Sequence, residues 1–521
     1  MSPIKDKTGG NRGPRRAAAV AVLTACGGGP SSSGGSASTE PATYRADLAY
    51  AQCMRAHGLS RFPNPSPSQG FGGQLSGNPN SPAALANEAC KPLLSLGSTG
   101  AGGTTTSPTS NPPGAAAADC LISQPPCYTP MQLRVAYAIQ PLLDRGITGR
   151  GQTVVLLEFP PTTAGSSSSA TGVQVPASSD IRHDLARFDS VFGLPAARLQ
   201  IVNSLAHASS PWLASIEEVE DTEIVHALAP DVAIREVLIP SSYVASPGTV
   251  SAAVLAALRL GLTQGGVVSL SAGAGEQCFT PAEAAQVNSA LQAAQRDRVT
   301  VVVSTGDSGA VTTACPPETG SAAVKGVDLP ASDPLALAVG GTSLQASPVT
   351  GAYIDESAWN IPASAGGPRA GGGGFSRLFP RPAYQNGIAG IGATRGVPDV
   401  AADADPRTGM ALAINGGGQD NILIGAGGAS AAAPLWAAVI ALADQYAGRD
   451  LGFVNPALYR IGRSAYYHQA FHDVTTGTNT VNFPTRTITG YQATLGWDPV
   501  TGWGSPQAQA LVPLLARYLS P

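Results

Sequence analysis

The chain has 521 residues, a formal net charge of −4 at pH 7 and a charged fraction of 12%, well below the usual share of about 25%. This length suits one large domain with appendages. The slightly acidic balance excludes a broad basic surface of the kind that binds nucleic acid, so we expect no nucleic-acid partner. No apolar run beyond the N-terminus reaches the roughly 18 residues that a spanning helix needs.

The N-terminus has the pattern of an export signal. Arginines within residues 12–16 precede a short apolar run at residues 17–24, and small residues follow. The sequence Leu-Thr-Ala-Cys that ends at Cys26 resembles the bacterial lipobox, in which the cysteine is lipidated. We therefore predict a signal peptide at residues 1–26, lipidation of Cys26 and an extracellular or cell-surface location. Simple secretion, or an apolar stretch without consequence, is the alternative.

Low-complexity linkers flank a small cysteine-containing unit. The Gly/Ser-rich residues 27–42 predict a flexible tether, and residues 97–118 predict a second linker because they lack large apolar groups. Between them, residues 43–96 contain two helical stretches separated by a Pro-rich stop. This unit resembles a short cysteine module of actinobacterial exported proteins, and that resemblance indicates no chemistry.

Cysteine usage agrees with export. Apart from Cys26, six of the seven cysteines fall into three neighbouring pairs along the sequence. An oxidising compartment favours disulfide bonds over free buried thiols. The sequence does not fix the connectivity. Nearest-neighbour pairing predicts the bridges Cys53–Cys90, Cys120–Cys127 and Cys278–Cys315.

The low-complexity sequence ends near residue 119, and we predict a single large domain at residues 119–521. Apolar, strand-like runs alternate there with helical stretches. Strands that alternate with helices imply an α/β fold, with a parallel sheet covered by helices on both faces. Catalytic groups in such folds lie at the carboxyl ends of the strands. The strands are predicted at residues 153–157, 232–238, 267–270 and 299–304, and the helices at 218–228, 250–260 and 281–295.

An acidic helix is predicted within residues 215–230, where apolar residues recur at helical spacing. Glu217 and Asp221 stand four residues apart, so their carboxylates lie on one side of the helix. Two such groups repel and tend to share a proton, which enables the pair to act as a general base in acid. A solvated acidic helix face is the alternative.

A buried strand leads directly into Asp307, within the segment Gly-Asp-Ser-Gly at residues 306–309. A protonated aspartic acid there can donate a hydrogen bond to a developing oxyanion, provided that an apolar setting keeps it neutral. Taken alone, the segment fits an ordinary Asp-containing turn equally well.

A glycine-rich loop ends at Ser430, before an Ala-rich helix predicted at residues 435–446. The loop exposes the hydroxyl and places it near the positive end of the helix dipole. Pro434 is expected in the first turn, where its missing N–H costs least. A simple helix N-cap is the alternative for Ser430.

The base for this serine is not expected to be a histidine. None of the histidines in this part of the chain has the surroundings of a Ser-His-Asp triad, and His226 is expected to be a packing residue. The histidines considered are His183, His207, His226, His468 and His472.

The segments that contain Glu217 and Asp221, Asp307, and Ser430 occur in an order that resembles the sedolisins. These are serine-carboxyl peptidases of subtilisin-like fold. The family pattern reads Glu-x-x-x-Asp-x-Glu, then Gly-Asp-Ser-Gly, then Gly-Thr-Ser-Ala-x-x-Pro. The resemblance covers about residues 120–521. The corresponding segments are residues 217–223, 306–309 and 428–434, with further landmarks at 146–152, 372–385 and 395–400.

The resemblance implies a role for each of these side chains. Ser430 would be the nucleophile, Glu217 its general base, and Asp221 the residue that orients Glu217. Asp307 would donate to the oxyanion, and Glu158 would extend the carboxyl network behind the base. The implied reaction is hydrolysis of protein or peptide substrates through an acyl-enzyme, favoured at acidic pH. A monomer is expected, with membrane attachment only through the lipid.

The C-terminal region resembles the calcium site of the family. Hard oxygen ligands suit calcium, and one structural ion is implied. Two unrelated Asp turns are the alternative. The implied ligands are the carboxylates of Asp473 and Asp498 and the carbonyl groups of Val474, Thr494 and Gly496.

The chain departs from the family pattern close to the nucleophile. Ala429 stands where the family has Thr, and Ala272 replaces the Trp of its Ser-x-Ser-Trp-Gly strand end, which is expected to open the substrate cleft. The other positions of that strand end match the pattern and are predicted to border the substrate and the carboxyl network. They are Ser269, Ser271 and Gly273.

Two classes of function remain open at the level of the sequence. The matching catalytic positions favour an active endopeptidase. A catalytically inactive cell-surface binding protein on a peptidase fold is the alternative, which Ala272 favours slightly. It is also favoured by residues 27–118, which are too short and too low in complexity for the prodomain of the family.

Overall fold

The computed structural model describes most of the chain from residue 127 onward. All of these residues belong to one unit, Ala42–Pro521. The signal, linker and cysteine-module predictions fall outside the described residues and stay predictions. Within the described part, none of the helices combines the length and the apolar composition that crossing a bilayer requires. The described ranges are 127–159, 167–168, 174–175, 181–203, 215–239, 249–264, 266–312, 324–363, 367–416, 419–483 and 486–519.

Helices and strands alternate along the chain. The helices are α1 (Pro130–Ala136), α2 (Gln140–Leu143), α3 (Ile181–Phe192), α4 (Ile216–Leu228), α5 (Thr249–Gly261), α6 (Pro281–Arg296), α7 (Ala429–Ala447), α8 (Asn455–Gly462), α9 (Tyr467–Ala470) and α10 (Ala508–Tyr518). Short 3₁₀ helices lie at Leu262–Gln264, Glu276–Cys278 and Ala383–Gln385. The longer strands are β1 (Thr153–Glu158), β4 (Arg198–Asn203), β5 (Ala233–Leu238), β6 (Val267–Leu270), β8 (Thr300–Ser304), β12 (Leu337–Ala346), β13 (Tyr353–Ala358), β16 (Gly374–Pro380), β17 (Thr394–Val397), β18 (Val400–Asp403), β19 (Ala411–Gly416) and β20 (Gln419–Gly425).

The remaining strands are two or three residues long. They are β2 (Ser167–Ser168), β3 (Gln174–Val175), β7 (Ala274–Gly275), β9 (Val311–Thr312), β10 (Val324–Lys325), β11 (Asp328–Leu329), β14 (Asn360–Ile361), β15 (Arg369–Ala370), β21 (Phe471–His472), β22 (Val481–Phe483), β23 (Arg486–Ile488) and β24 (Ser505–Pro506).

A central sheet organises the molecule, in the order β13-β12-β8-β6-β1-β5-β4, with β18 also paired to β12. The pairs from β12 through β4 are parallel, and β13 is antiparallel to β12. The predicted α/β class with a mainly parallel sheet is therefore confirmed. Adjacent parallel strands end at the same edge, which collects their following loops there.

Both faces of the sheet are covered by helices, as predicted. Side chains of β1 alternate between two apolar cores because successive residues of a strand point to opposite faces. Val154 and Leu156 belong to the core that contains apolar residues of α4 and α7. Val155 and Leu157 belong to the core that contains apolar residues of α5 and α6. A strand buried on both faces explains the continuous apolar run of β1.

Helix α7 begins six residues before the predicted start, and Pro434 consequently lies inside the helix. The prediction that Pro434 occupies the first turn is wrong. Gly428, at φ +97°, turns the chain into the helix. The alanines that follow are strong helix formers. They extend the helix ahead of the proline, so that the missing N–H affects the residue four positions earlier, Ser430.

Candidate active site

The predicted site residues meet at the carboxyl edge of the central sheet. The neighbouring strands β1, β6 and β8 end at Glu158, Leu270 and Ser304, and Ser271 and Asp307 follow the last two. Helix α4 carries Glu217 in its first turn, and helix α7 carries Ser430 in its first turn. Each side chain thus comes from a strand end or a helix start.

A capping box fixes the beginning of α4. The Ser215 hydroxyl accepts the backbone N–H of Glu218 at 3.0 Å, and the Glu218 carboxylate accepts the backbone N–H of Ser215 at 3.3 Å. Such reciprocal bonds satisfy two of the free donors at a helix start. They explain why α4 begins two residues before the predicted residue 218, and they set the first turn that contains Glu217.

The Ser430 hydroxyl is hydrogen-bonded to the Glu217 carboxyl group. Both side chains are half-buried. The N-cap of α7 is Gly428, so Ser430 is not the helix N-cap that the sequence analysis considered as the alternative. Burial raises the pKa of Glu217 to about 7, the bond from Ser430 lowers it in part, and the charge of Asp307 raises it further. A half-buried serine thus has a carboxyl group as its partner.

Behind Glu217 lies a hydrogen-bonded pair of carboxyl groups, Asp221 and Glu158, each only 1% exposed. Burial raises the pKa of both groups, and the charges of their acidic neighbours raise it further. Ser271 Oγ donates to Asp221 Oδ2 at 2.8 Å. Glu217 acts on Asp221 through its charge. The acid that is hydrogen-bonded to Asp221 is therefore Glu158, and the sharing of a proton between Glu217 and Asp221 stays a prediction.

Pro434 affects the bonding of the Ser430 carbonyl group. A proline has no N–H to donate to the carbonyl four residues earlier, which in α7 is that of Ser430. Ser271 Oγ lies 3.4 Å from this carbonyl oxygen. One hydroxyl group therefore contacts both the backbone of Ser430 and the carboxylate of Asp221.

Asp307, which follows β8, contacts the glycine-rich loop that precedes Ser430. The backbone N–H of Ala429 donates to Asp307 Oδ1 at 2.8 Å. Burial raises the pKa of Asp307, while the Ala429 N–H and the charge of Arg369 lower it. At Gly428 a Cβ would lie 2.9 Å from Asp307 Oδ2, and the positive φ there also favours glycine. The glycine thus permits the close approach between this acid and the loop.

The remaining residues of the predicted strand end differ in their contacts. Ser269 is fully buried in β6, and its hydroxyl has no hydrogen-bond partner among the described residues. Gly273 is exposed, and a Cβ there would lie 3.0 Å from the Leu329 carbonyl oxygen. Ala272 is half-buried against the apolar core formed with α5 and α6. Of the three matching positions, Ser271 is the one bonded to the carboxyl network.

Sequence reasoning missed further buried acids around this network. On α4, Glu218 and Glu220 are 0% and 4% exposed, so the helix is not a solvated acidic face. On β5, Glu236 is fully buried, accepts a hydrogen bond from the Thr222 hydroxyl and is hydrogen-bonded to Glu218. The sequence contained a signal for this burial. The acidic residues within 217–223 lie on more sides of the helix than a single solvent-exposed face can include.

His226 has the packing role that the sequence predicted. It is buried in α4, with Nε2 at 2.8 Å from Asp189 Oδ1 and 2.9 Å from the Pro195 carbonyl oxygen. His207 lies outside the described residues. The observed partner of the Ser430 hydroxyl is therefore the carboxyl group of Glu217, in agreement with the expectation of a base other than histidine.

The acidic residues of the predicted calcium site lie beside the loop that carries its predicted carbonyl ligands. Asp473 accepts the backbone N–H of Gly496 at 3.2 Å, and Asp498 Oδ2 accepts that of Thr494 at 3.0 Å. Thr501 Oγ1 lies 3.4 Å from the Val474 carbonyl oxygen. The described residues contain no group of three or more His, Cys, Asp or Glu side chains suited to a metal ion. The predicted set has two such side chains, with carbonyl groups as the other ligands.

Cys127 and Cys278 are the cysteines among the described residues, and both are disulfide-bonded. Their predicted partners, Cys120 and Cys315, and the predicted pair Cys53–Cys90 lie outside the described residues. The three pairings therefore stay predictions.

Known proteins are similar to this chain in sequence. Kumamolisin from Bacillus sp. (strain MN-32) is 34% identical over 406 residues, which are 75% of this chain and 64% of kumamolisin. Sedolisin from Pseudomonas sp. (strain 101) is 36% identical over 180 residues, 34% of this chain and 28% of that protein. The chain thus spans less than two thirds of the length of either relative.

A solved structure supports the fold. Pseudomonas sedolisin, a serine-carboxyl proteinase complexed with two molecules of pseudo-iodotyrostatin, superposes with a TM-score of 0.59 over 74% of this chain and 97% of that chain, at 24% identity. No family model matches the chain. From its sequence similarity to kumamolisin and sedolisin, together with this fold, the chain belongs to the sedolisin family of serine-carboxyl peptidases.

Proposed function

We propose that this protein is an acid-active serine-carboxyl endopeptidase that hydrolyses peptide bonds in proteins or peptides. The hydrogen bond between Ser430 and Glu217 supports this most directly, because a hydroxyl nucleophile needs a base within hydrogen-bond reach. The alternative, an inactive binding protein, gives no reason for a serine that is paired with a carboxyl group and backed by a second, proton-sharing carboxyl pair.

The proposed reaction begins when Ser430 Oγ attacks the carbonyl carbon of the substrate and Glu217 takes the hydroxyl proton. Asp221, held by Glu158 and Ser271, orients Glu217. Asp307 donates a hydrogen bond to the oxyanion of the tetrahedral intermediate. Glu217 then returns the proton to the leaving amine. Water attacks the acyl-enzyme by the same sequence of proton transfers and releases the acid product.

Acidic conditions suit Asp307 and the Asp221–Glu158 pair, which act while they hold a proton, whereas Glu217, whose pKa burial raises to about 7, takes the Ser430 proton only in its ionised fraction. Asp307 can donate to the oxyanion only while it carries its proton, and burial raises its pKa so that it keeps the proton longer as the pH increases. The pair Asp221–Glu158 likewise keeps its shared proton. Ionisation of these groups at higher pH removes the donor and adds negative charge near the base, so we expect activity to fall toward alkaline pH.

We also propose one structural calcium ion in the C-terminal region. Asp473 and Asp498 would supply carboxylates, and Val474, Thr494 and Gly496 would supply carbonyl groups. The hydrogen bonds that join these acids to the Thr494–Gly496 loop support the proposal, because they hold hard oxygen donors beside one another. When bound, the ion would crosslink two C-terminal loops and thereby stabilise the fold.

The location follows from the N-terminal pattern and the cysteines. A signal peptide at residues 1–26, with lipid on Cys26, would deliver a monomeric enzyme outside the cell or to its surface. The disulfide-bonded state of Cys127 and Cys278 supports an oxidising compartment.

Hydrolysis of a denatured protein by the wild type and by Ser430→Ala tests the proposed function. We expect the wild type to cleave in acid, and Ser430→Ala to lose at least about a thousandfold in kcat/KM because the nucleophile is gone. A fluorophosphonate or a peptide aldehyde should label the wild type, and mass spectrometry should locate the adduct on Ser430. Ser289→Ala, at an exposed serine of α6, is the matched control and should remain active. A folded wild type that neither cleaves nor forms an adduct would favour the inactive binding protein.

A further inference from the structure

Glu220 lies between Glu217 and Asp221 in the catalytic region, yet the mechanism above does not use it. Its side chain is only 4% exposed. The backbone N–H of Gly427 donates to Glu220 Oε2 at 3.2 Å, whereas Oε1 is buried without a hydrogen-bond partner among the described residues. The family pattern Glu-x-x-x-Asp-x-Glu leaves this position unspecified.

The bonded N–H group belongs to the loop that presents Ser430. Three successive backbone N–H groups of this loop have partners from different elements. Gly427 donates to Glu220, Gly428 donates to the Ala404 carbonyl at 2.7 Å, and Ala429 donates to Asp307 at 2.8 Å. Glycine-rich chain has wide conformational freedom, so these bonds must hold the loop in the conformation that starts α7.

Glu220 is suited to accept this bond as a neutral acid. Burial raises its pKa well above the ordinary value, and the charges of Glu217 on its own helix, Asp307 after β8 and Glu158 on β1 raise it further. The N–H of Gly427 opposes the shift. A neutral carboxyl group still accepts through its carbonyl oxygen, and it adds no negative charge beside the base.

We propose that Glu220 is a positioning residue for catalysis: its carboxyl group holds the Gly427 N–H and so fixes the loop that directs Ser430 toward Glu217. This role rests on the proposed peptidase activity. It makes α4 contact the nucleophile at two points, through the hydroxyl at Glu217 and through the loop at Glu220.

The test compares variants that keep or remove the acceptor. Glu220→Gln keeps a carbonyl oxygen and is expected to retain kcat and KM within about twofold in acid, because it mimics the neutral acid. Glu220→Leu removes the acceptor, and we expect kcat to fall about tenfold or more while KM stays within about twofold. Rates are normalised to the sites titrated by a fluorophosphonate. If the leucine variant does not fold, Glu220→Met removes the same acceptor and carries the same expectation.

Glu223 provides the matched control on the same helix. It is also a buried glutamate that accepts a backbone N–H, from Ala413 at 2.8 Å, but it does so away from the nucleophile loop. Glu223→Leu is expected to lower stability without the selective loss of kcat. The proposal is overturned if Glu220→Leu keeps its kcat, if Glu220→Gln loses as much as Glu220→Leu, or if Glu223→Leu loses kcat equally. A wild type without activity would instead overturn the peptidase itself, and the role of Glu220 with it.

Discussion

The single hydroxyl group of Ser271 contacts two other residues of the candidate site. Its hydroxyl contacts the carboxylate of Asp221 and the backbone carbonyl of Ser430. The bond to Asp221 lowers the pKa of that acid, against the effect of burial. Ser271 thus contacts both the residue that we propose to orient the base and the backbone of the proposed nucleophile.

Ser271→Ala should reduce kcat/KM about tenfold, since a hydrogen bond to a charged group contributes about 1.5 kcal/mol. It should also raise the pKa of the Asp221–Glu158 pair, which the pH profile would report. Ser269→Ala is the matched control, because that hydroxyl is buried in the same strand and has no hydrogen-bond partner among the described residues. Equal losses in the two variants would contradict the assignment of Ser271.

Helix α7 illustrates how one element serves both packing and chemistry. It is buried along most of its length and packs against α4 and the central sheet. Pro434 cannot donate a helical hydrogen bond to the carbonyl group of Ser430. The hydroxyl group of Ser271 lies 3.4 Å from that carbonyl oxygen. We infer that the helix gives up some intrinsic stability to leave this carbonyl available to the site.

Pro434→Ala should stabilise the protein and impair it as an enzyme. The restored N–H can bond the Ser430 carbonyl, so we expect about 1–3 kcal/mol of added stability in urea unfolding. We expect kcat to fall about threefold to tenfold because the contact with Ser271 is displaced. Pro513→Ala in α10 is the control, since Pro513 also lies inside a helix but away from the site. An unchanged kcat in Pro434→Ala would show that the proline has no catalytic consequence.

At the scale of the whole molecule, buried acids with raised pKa values set the dependence of stability on pH. Burial raises the pKa of Glu217 to about 7, that of Asp328 to about 7 and that of Asp333 to about 6. The folded protein then binds more protons than the unfolded chain above the ordinary carboxyl range. Folding is consequently favoured in acid and weakens as the pH rises through these values.

We therefore expect the free energy of unfolding to be highest near about pH 4 and to fall steadily toward about pH 8. Urea titrations at several pH values measure this slope. Glu236→Gln should make the slope shallower, because it removes one buried acid whose pKa is raised by burial and by its acidic neighbours. A stability that is flat or increases over this range would show that the buried acids ionise freely in the folded protein.

Removal of calcium tests whether the proposed structural ion stabilises the whole domain. A chelator should lower the Tm of the wild type by several degrees, and added calcium should restore it, because ion binding stabilises only the folded state. Asp498→Asn should have a low Tm in both conditions. Equal Tm values of the wild type with and without chelator would remove calcium from the description.

The sequence by itself determined the alternation of strands and helices and the parallel sheet, and it singled out Glu217, Asp307 and Ser430 as candidate site residues. These features are encoded locally, in apolar periodicity and in glycine-flanked motifs at element ends. The resemblance to the sedolisins added Glu158, which no local pattern singles out.

Only the tertiary structure decided how the acids of α4 are used. Glu220 bonds a loop some two hundred residues away in sequence, and Glu236 reaches α4 from β5. Whether such acids are solvated or neutral depends on what covers the helix, and α7 and the central sheet supply that cover. The position of Pro434 inside α7 was decided in the same way, because the turn at Gly428, beside Asp307, fixes where the helix begins.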